Sequence, residues 1–122
     1  MDGIELLYGE TLTSIDGAEI GSDAILFTCS DGKKFRMCHY QSCCESVSVE
    51  DIWGDISDLI GSPILMAEEV TSNENPEDVT PEKQDSFTWT FYKLATIKGS
   101  VTIRWYGESN GYYSESVDFE KV

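Results

Sequence analysis

The chain is short of positive charge and of long hydrophobic runs. Its 122 residues include only 8 Lys and Arg against 23 Asp and Glu, which gives a formal net charge of −15. Phosphate groups are bound largely by Lys and Arg, so we expect no direct contact with nucleic acid or with anionic membranes. The longest apolar runs, "AILF" and "PILMA", are far too short to cross a bilayer.

The N-terminal stretch "MDGIELLYGE" contains no Lys or Arg. It therefore lacks the basic start and the apolar core of a secretory signal, and we expect a cytoplasmic protein. Cysteines stay reduced in that compartment. This expectation disfavours a disulfide and favours a metal site for the cysteines.

Hydrophobic patterning predicts one α+β domain over residues 1–122, with a mostly antiparallel, twisted sheet of about six or seven strands and one main helix. Asp31-Gly32 between "AILFTCS" and "KKFRMCHY" predicts a two-residue hairpin that places Ile25 opposite Cys38. The helix is predicted in "SVEDIWGDISDLIG". Residues 71–86 are polar and proline-containing and predict a loop, and residues 87–122 predict a three-stranded meander.

The segment "FRMCHYQSCCES" contains the only histidine and three of the four cysteines. Zinc prefers thiolate and imidazole ligands, so we expect a zinc site at His39, Cys43 and Cys44. The residue spacing favours His39 with Cys43 or Cys44, because adjacent strand residues point to opposite faces. A further ligand would come from Glu45, Asp51, Cys38 or water.

Two other interpretations of this segment remain open. Cys38 and Cys44 could be small buried hydrophobic residues, with His39 hydrogen-bonded at a strand edge. A catalytic Cys43–His39 pair is disfavoured, because the negative charge of the chain raises the pKa of a thiol and lowers the thiolate population.

The residues from His39 onward resemble a family of small, acidic, phage-encoded proteins. The resemblance is carried by the His and Cys-Cys-Glu residues, by "DLIG", and by "TIRWYGESNGYYSE". It covers His39, Cys43, Cys44 and Glu45, and Cys38 lies outside the motif. The resemblance implies an anti-CRISPR protein, a metal-containing inhibitor of a type II Cas nuclease, that acts in the host cytoplasm.

We therefore predict a non-enzymatic protein that binds a basic surface of a host Cas nuclease and blocks DNA loading or binding. The alternative is a small anti-defence enzyme or a ligand-sequestering protein with a Cys/His or Tyr-rich site. The acidic residues predicted to contact the nuclease are Asp51, Asp55, Asp58, Glu68, Glu69, Glu74, Glu77 and Asp78.

Overall fold

The computed structural model describes residues 3–41, 44–76, 86–111 and 113–122. These residues form eight β-strands and two short 3-10 helices. The 3-10 helices span Ile4–Leu7 and Ile56–Leu59. The strands are β1 (Leu12–Asp16), β2 (Ala24–Cys29), β3 (Lys34–Cys38), β4 (Ser46–Trp53), β5 (Met66–Ser72), β6 (Ser86–Thr96), β7 (Gly99–Ser109) and β8 (Asp118–Lys121).

The strands make two antiparallel four-stranded sheets, in the orders β1-β2-β3-β8 and β4-β7-β6-β5. One hydrophobic core joins them: Phe27 and Met37 of the first sheet belong to the same cluster as Ile103 and Trp105 of the second. The indole nitrogen of Trp105 donates to the Met37 sulfur at 3.2 Å. The protein is therefore a β-sandwich, an arrangement in which each sheet buries one face against the other.

The prediction of an α+β fold with one main helix is wrong. The segment predicted to be a helix, residues 48–61, instead contains most of β4, a tight turn at Gly54 and the second 3-10 helix. Gly54 has φ +103°, and a Cβ there would lie 2.4 Å from the Ser100 carbonyl oxygen of β7. The Ile52, Ile56 and Leu59 spacing fits a helix and also fits this bent path, because all three residues still contact the core. The pairing of β4 with β7 decides between the helix and the bent strand.

The β2–β3 hairpin is present, but its register differs by one residue from the prediction. Ile25 pairs with Met37, and Ala24 pairs with Cys38. The loop has three residues rather than two, because the Cys29 amide donates to the Lys33 carbonyl oxygen at 2.8 Å. Gly32, with φ +93°, supplies the left-handed residue that such a loop requires.

The predicted C-terminal meander is only partly correct. Strands β6 and β7 pair along their whole lengths as a hairpin. The last strand, β8, instead crosses to the other sheet and pairs with β3. Strand alternation in one segment does not specify which sheet it joins, and this crossing was not predictable from the local pattern.

Candidate functional site

The single histidine lies at the end of β3, where it connects two loops. Its Nε2 atom is 2.8 Å from a carboxylate oxygen of Glu45, and its Nδ1 atom is 2.8 Å from the Ser116 carbonyl oxygen. The side chains of His39 and Glu45 are 3% and 0% exposed. Because both neighbours of the ring are acceptors, either both ring nitrogens donate or Glu45 carries a proton.

The loop between β3 and β4 folds back onto the same carboxylate. The Gln41 amide nitrogen donates to Glu45 Oε1 at 3.3 Å and to the Glu45 carbonyl oxygen at 2.5 Å. His39 thus joins this loop to the segment that precedes β8. We call His39, Glu45 and the Ser116 carbonyl the histidine clip.

Two of the three residues predicted to bind zinc, His39 and Cys44, make other contacts in this arrangement. Cys44 is disulfide-bonded, so the expectation of reduced cysteines is wrong for this residue. Cys43 lies outside the described residues. Both nitrogens of His39 already contact protein acceptors. Neither His39 nor Cys44, as arranged here, fits a tetrahedral zinc ion. Zinc binding stays a prediction that elemental analysis of the purified protein can test.

The structure also places the three residues predicted as possible further zinc ligands, Cys38, Asp51 and Glu45. Cys38 is a free thiol, 5% exposed, and burial raises its pKa. Asp51 lies on β4, where its carboxylate accepts from the Ile52 amide at 2.8 Å. Only Glu45, of these three, contacts His39 in the described hydrogen bonds. The interpretation of Cys38 and Cys44 as small buried hydrophobic residues is confirmed for Cys38 and is wrong for Cys44, which is exposed.

Sequence reasoning missed a second cluster of metal-ligand types at the β2–β3 turn. Single ligand atoms of Glu10, Cys29 and Asp31 lie within 4.8 Å of one another. The Lys33 ammonium already lies among them, 3.0 Å from Glu10 and 3.1 Å from Asp31. Burial, together with the nearby carboxylates of Glu10 and Asp31, raises the pKa of Cys29 to about 11. The cluster therefore consists of two carboxylates bridged by one lysine ammonium, beside a protonated thiol.

The predicted contact acids lie on several elements rather than on one helix face. Glu68 and Glu69 are exposed on β5, which is an edge strand, and Glu74 is exposed in the loop that follows. Asp55 is exposed and caps the second 3-10 helix by accepting from the Ser57 amide at 3.0 Å. Asp51 and Asp58 are half-buried. Glu77 and Asp78 lie outside the described residues.

A cavity of about 570 Å³ opens between the edge strands β8 and β5. Its lining includes Tyr40 and the carboxylates of Glu69, Asp118 and Glu120. Glu120 is already paired with Arg36 at 2.8 Å. The cavity therefore extends the negative surface of β5 to the other sheet.

A family model for a domain of unknown function, DUF7448, matches residues 5–119. The chain belongs to the DUF7448 family. The match spans both sheets, from the first 3-10 helix into β8. No curated protein and no solved structure matches the chain. In the part of the chain that the structure describes, no helix is long and apolar enough to cross a membrane.

Proposed function

We propose that this DUF7448 protein is a non-enzymatic binding protein that docks through its acidic surface on a basic partner. The observation that carries the proposal is the net charge of −15 on a 122-residue chain, with Glu68, Glu69 and Glu74 exposed on and beside one sheet edge. Such a field raises the rate of encounter with positively charged proteins and repels nucleic acid.

The specific partner we propose is a type II Cas nuclease of the host. Such nucleases hold the guide–target heteroduplex in a positively charged channel. An acidic protein seated in that channel would compete with DNA for the same Lys and Arg side chains. This choice of partner rests on the resemblance described above, and the charge of the chain is compatible with it.

The alternative of a Cys/His enzyme has less support. A thiol nucleophile needs a lowered pKa and a base within hydrogen-bond reach. Burial instead raises the pKa of Cys29 and of Cys38. His39, which would be the base, is buried and bonded to Glu45 and Ser116.

The proposal is tested by reversing charge at two places on the chain. One variant carries Glu68→Lys, Glu69→Lys and Glu74→Lys. The matched control carries Asp16→Lys, Glu19→Lys and Asp23→Lys, which are exposed residues on and after β1. Both variants change the net charge by the same amount, so only the location differs.

Binding to the guide-loaded nuclease is then measured for both variants and the wild type by pull-down and by titration. We expect the β5-edge variant to lose binding and the control to retain most of it. Equal binding by both variants, or no binding by the wild type, would reject docking through this edge on this partner. Matching melting curves exclude misfolding as the cause.

A further inference from the structure

The sheet β4-β7-β6-β5 carries aromatic residues on the side that faces away from the core. Val101, Ile103 and Trp105 point inward and join the core. The alternate positions, which point outward, include aromatic residues on β4, β6 and β7. We call them the aromatic face: Trp53, Phe87, Trp89, Phe91 and Tyr106. The outward side of a sandwich sheet is usually polar, so aromatic side chains that stay exposed there indicate a contact surface.

Ring contacts and the Arg104 guanidinium link four residues of the aromatic face across three strands: Phe87, Tyr106, Trp89 and Trp53. The ring centroids of Phe87 and Tyr106 are 6.3 Å apart, and those of Tyr106 and Trp89 are 4.5 Å apart. The Arg104 guanidinium carbon lies 4.9 Å from the Trp89 ring and 4.6 Å from the Trp53 ring. A continuous stack therefore runs from β6 through β7 to β4.

The stack is buried in its centre and open at its β4 end. Trp89 is 2% exposed, and its indole nitrogen donates to Asn75 at 3.0 Å. Arg104 is 3% exposed and pairs with Glu50 at 2.7 Å, which balances its charge. Trp53, which stacks on Arg104, is 43% exposed. A rigid platform thus ends in an indole that is available to a ligand.

The carboxylates on this side of the sheet outnumber the cations, which favours a positively charged occupant: four acids, Glu50, Asp51, Glu68 and Glu108, share it with Lys93 and Arg104. Glu50 and Asp51 lie on β4 within three residues of Trp53, and Asp51 is opposite Arg104 in the ladder. Glu108 accepts from the Tyr106 hydroxyl at 2.8 Å. A second copy of the chain would bring a further net charge of −15 to this face, so self-association is disfavoured.

We propose that the aromatic face docks an arginine-bearing segment of a positively charged protein, with the guanidinium stacked on Trp53. A guanidinium stacks on an indole and pairs with carboxylates at the same time, whereas a lysine ammonium is a strongly hydrated point charge. The inference rests on the proposed function, that the chain binds a basic partner, and names the side-chain chemistry that one part of its surface recognises.

The test uses short labelled peptides, hexa-arginine and hexa-lysine, and measures their binding by fluorescence anisotropy at low salt. The variants are Trp53→Ala and a control, Tyr8→Ala. Tyr8 is an aromatic residue that is 67% exposed, on the turn after the first 3-10 helix and outside this sheet. We expect wild type and the Tyr8 variant to bind hexa-arginine about two- to fivefold more tightly than hexa-lysine.

We expect Trp53→Ala to bind the two peptides equally, because only the charge attraction remains. Intrinsic fluorescence supplies a second readout, since Trp89 and Trp105 are buried and Trp53 is the exposed indole. Hexa-arginine should change the emission of wild type more than hexa-lysine does. The proposal is overturned if wild type shows no arginine preference, if Trp53→Ala keeps it, or if wild type forms a dimer that Trp53→Ala dissociates.

The peptide experiment contains no nuclease, so its result is independent of the identity of the partner. If the wild type does not bind the nuclease but prefers hexa-arginine, the proposed partner is wrong and the aromatic face stands. If the nuclease binds the wild type and Trp53→Ala equally, the aromatic face is wrong and the acidic docking stands.

Discussion

Removing the Glu45 carboxylate should lower the denaturant concentration at the unfolding midpoint well below that of the wild type. In Glu45→Ala, the buried His39 Nε2 atom loses its partner at 2.8 Å, and the Gln41 amide loses the Glu45 side-chain oxygen at 3.3 Å. Both side chains of the pair are at most 3% exposed, so water cannot readily replace the lost contacts. Breaking a buried pair of this kind costs about 3–5 kcal/mol of unfolding free energy.

Urea unfolding followed by circular dichroism measures this loss, and Glu120→Ala is the control. Glu120 also pairs with a cationic group, Arg36, but the two side chains are 38% and 39% exposed. A solvated pair contributes little, so the control should change the midpoint far less. Similar losses for the two variants would refute the view that burial makes the histidine clip important.

The same assay separates the clip from a zinc site. If the clip alone holds the β3–β4 loop, a chelator leaves the unfolding midpoint of the wild type unchanged. If zinc holds the loop, as the sequence predicts, the chelator lowers the midpoint and elemental analysis finds the metal.

Three further predictions concern the turn, the thiols and one hydrogen-bonded carboxylate. Gly54→Ala should lower the unfolding free energy by more than about 2 kcal/mol, because the residue has φ +103° and an added Cβ would clash with the backbone of β7. Gly21→Ala should cost less, because Gly21 has φ +90° but open space around it. Equal losses of the two variants in calorimetry would contradict this. Cys29 and Cys38 should resist a thiol reagent at pH 7.5 and react after unfolding in urea, since burial raises the pKa of both thiols. Rapid labelling of Cys29 or Cys38 in the native protein would contradict this prediction. Burial raises the pKa of Glu115, but hydrogen bonds from two serines and a threonine outweigh it and hold the value below normal. The Glu115 carboxylate therefore stabilises the fold above the unfolded pKa and loses that effect as pH falls through the folded pKa. Glu115→Gln should be destabilising at pH 7, and its difference from wild type in thermal melts should shrink as the pH falls below the unfolded pKa; a difference that stays constant would refute this.

The strands were largely predictable from the sequence, because alternation and turn residues are local signals. The β2–β3 hairpin and the β6–β7 hairpin both follow from such signals. The helix at residues 48–61 was wrong because its apolar spacing satisfies a helix and a bent strand equally well. The pairing of β4 with β7 and the close approach of Gly54 to that strand distinguish the two, and neither is a local property of the sequence.

The candidate site was less predictable than the fold. The sequence grouped His39 and Glu45 as candidate ligands of one metal ion, which stays a prediction; in the structure the two side chains contact each other directly. It did not indicate Ser116, which reaches His39 only because β8 crosses to the first sheet. The arrangement of Trp53, Arg104 and Trp89 likewise needs the register of β4, β7 and β6, which no single segment contains.

We propose that the chain binds a basic surface of the nuclease in place of DNA. The most direct test is a competition titration, in which guide-loaded nuclease is mixed with labelled target DNA and increasing amounts of this protein. We expect the protein to displace the DNA, with an affinity that falls steeply as salt rises from about 0.1 to about 0.5 M. A nuclease that binds target DNA equally well with and without saturating protein would contradict the claim.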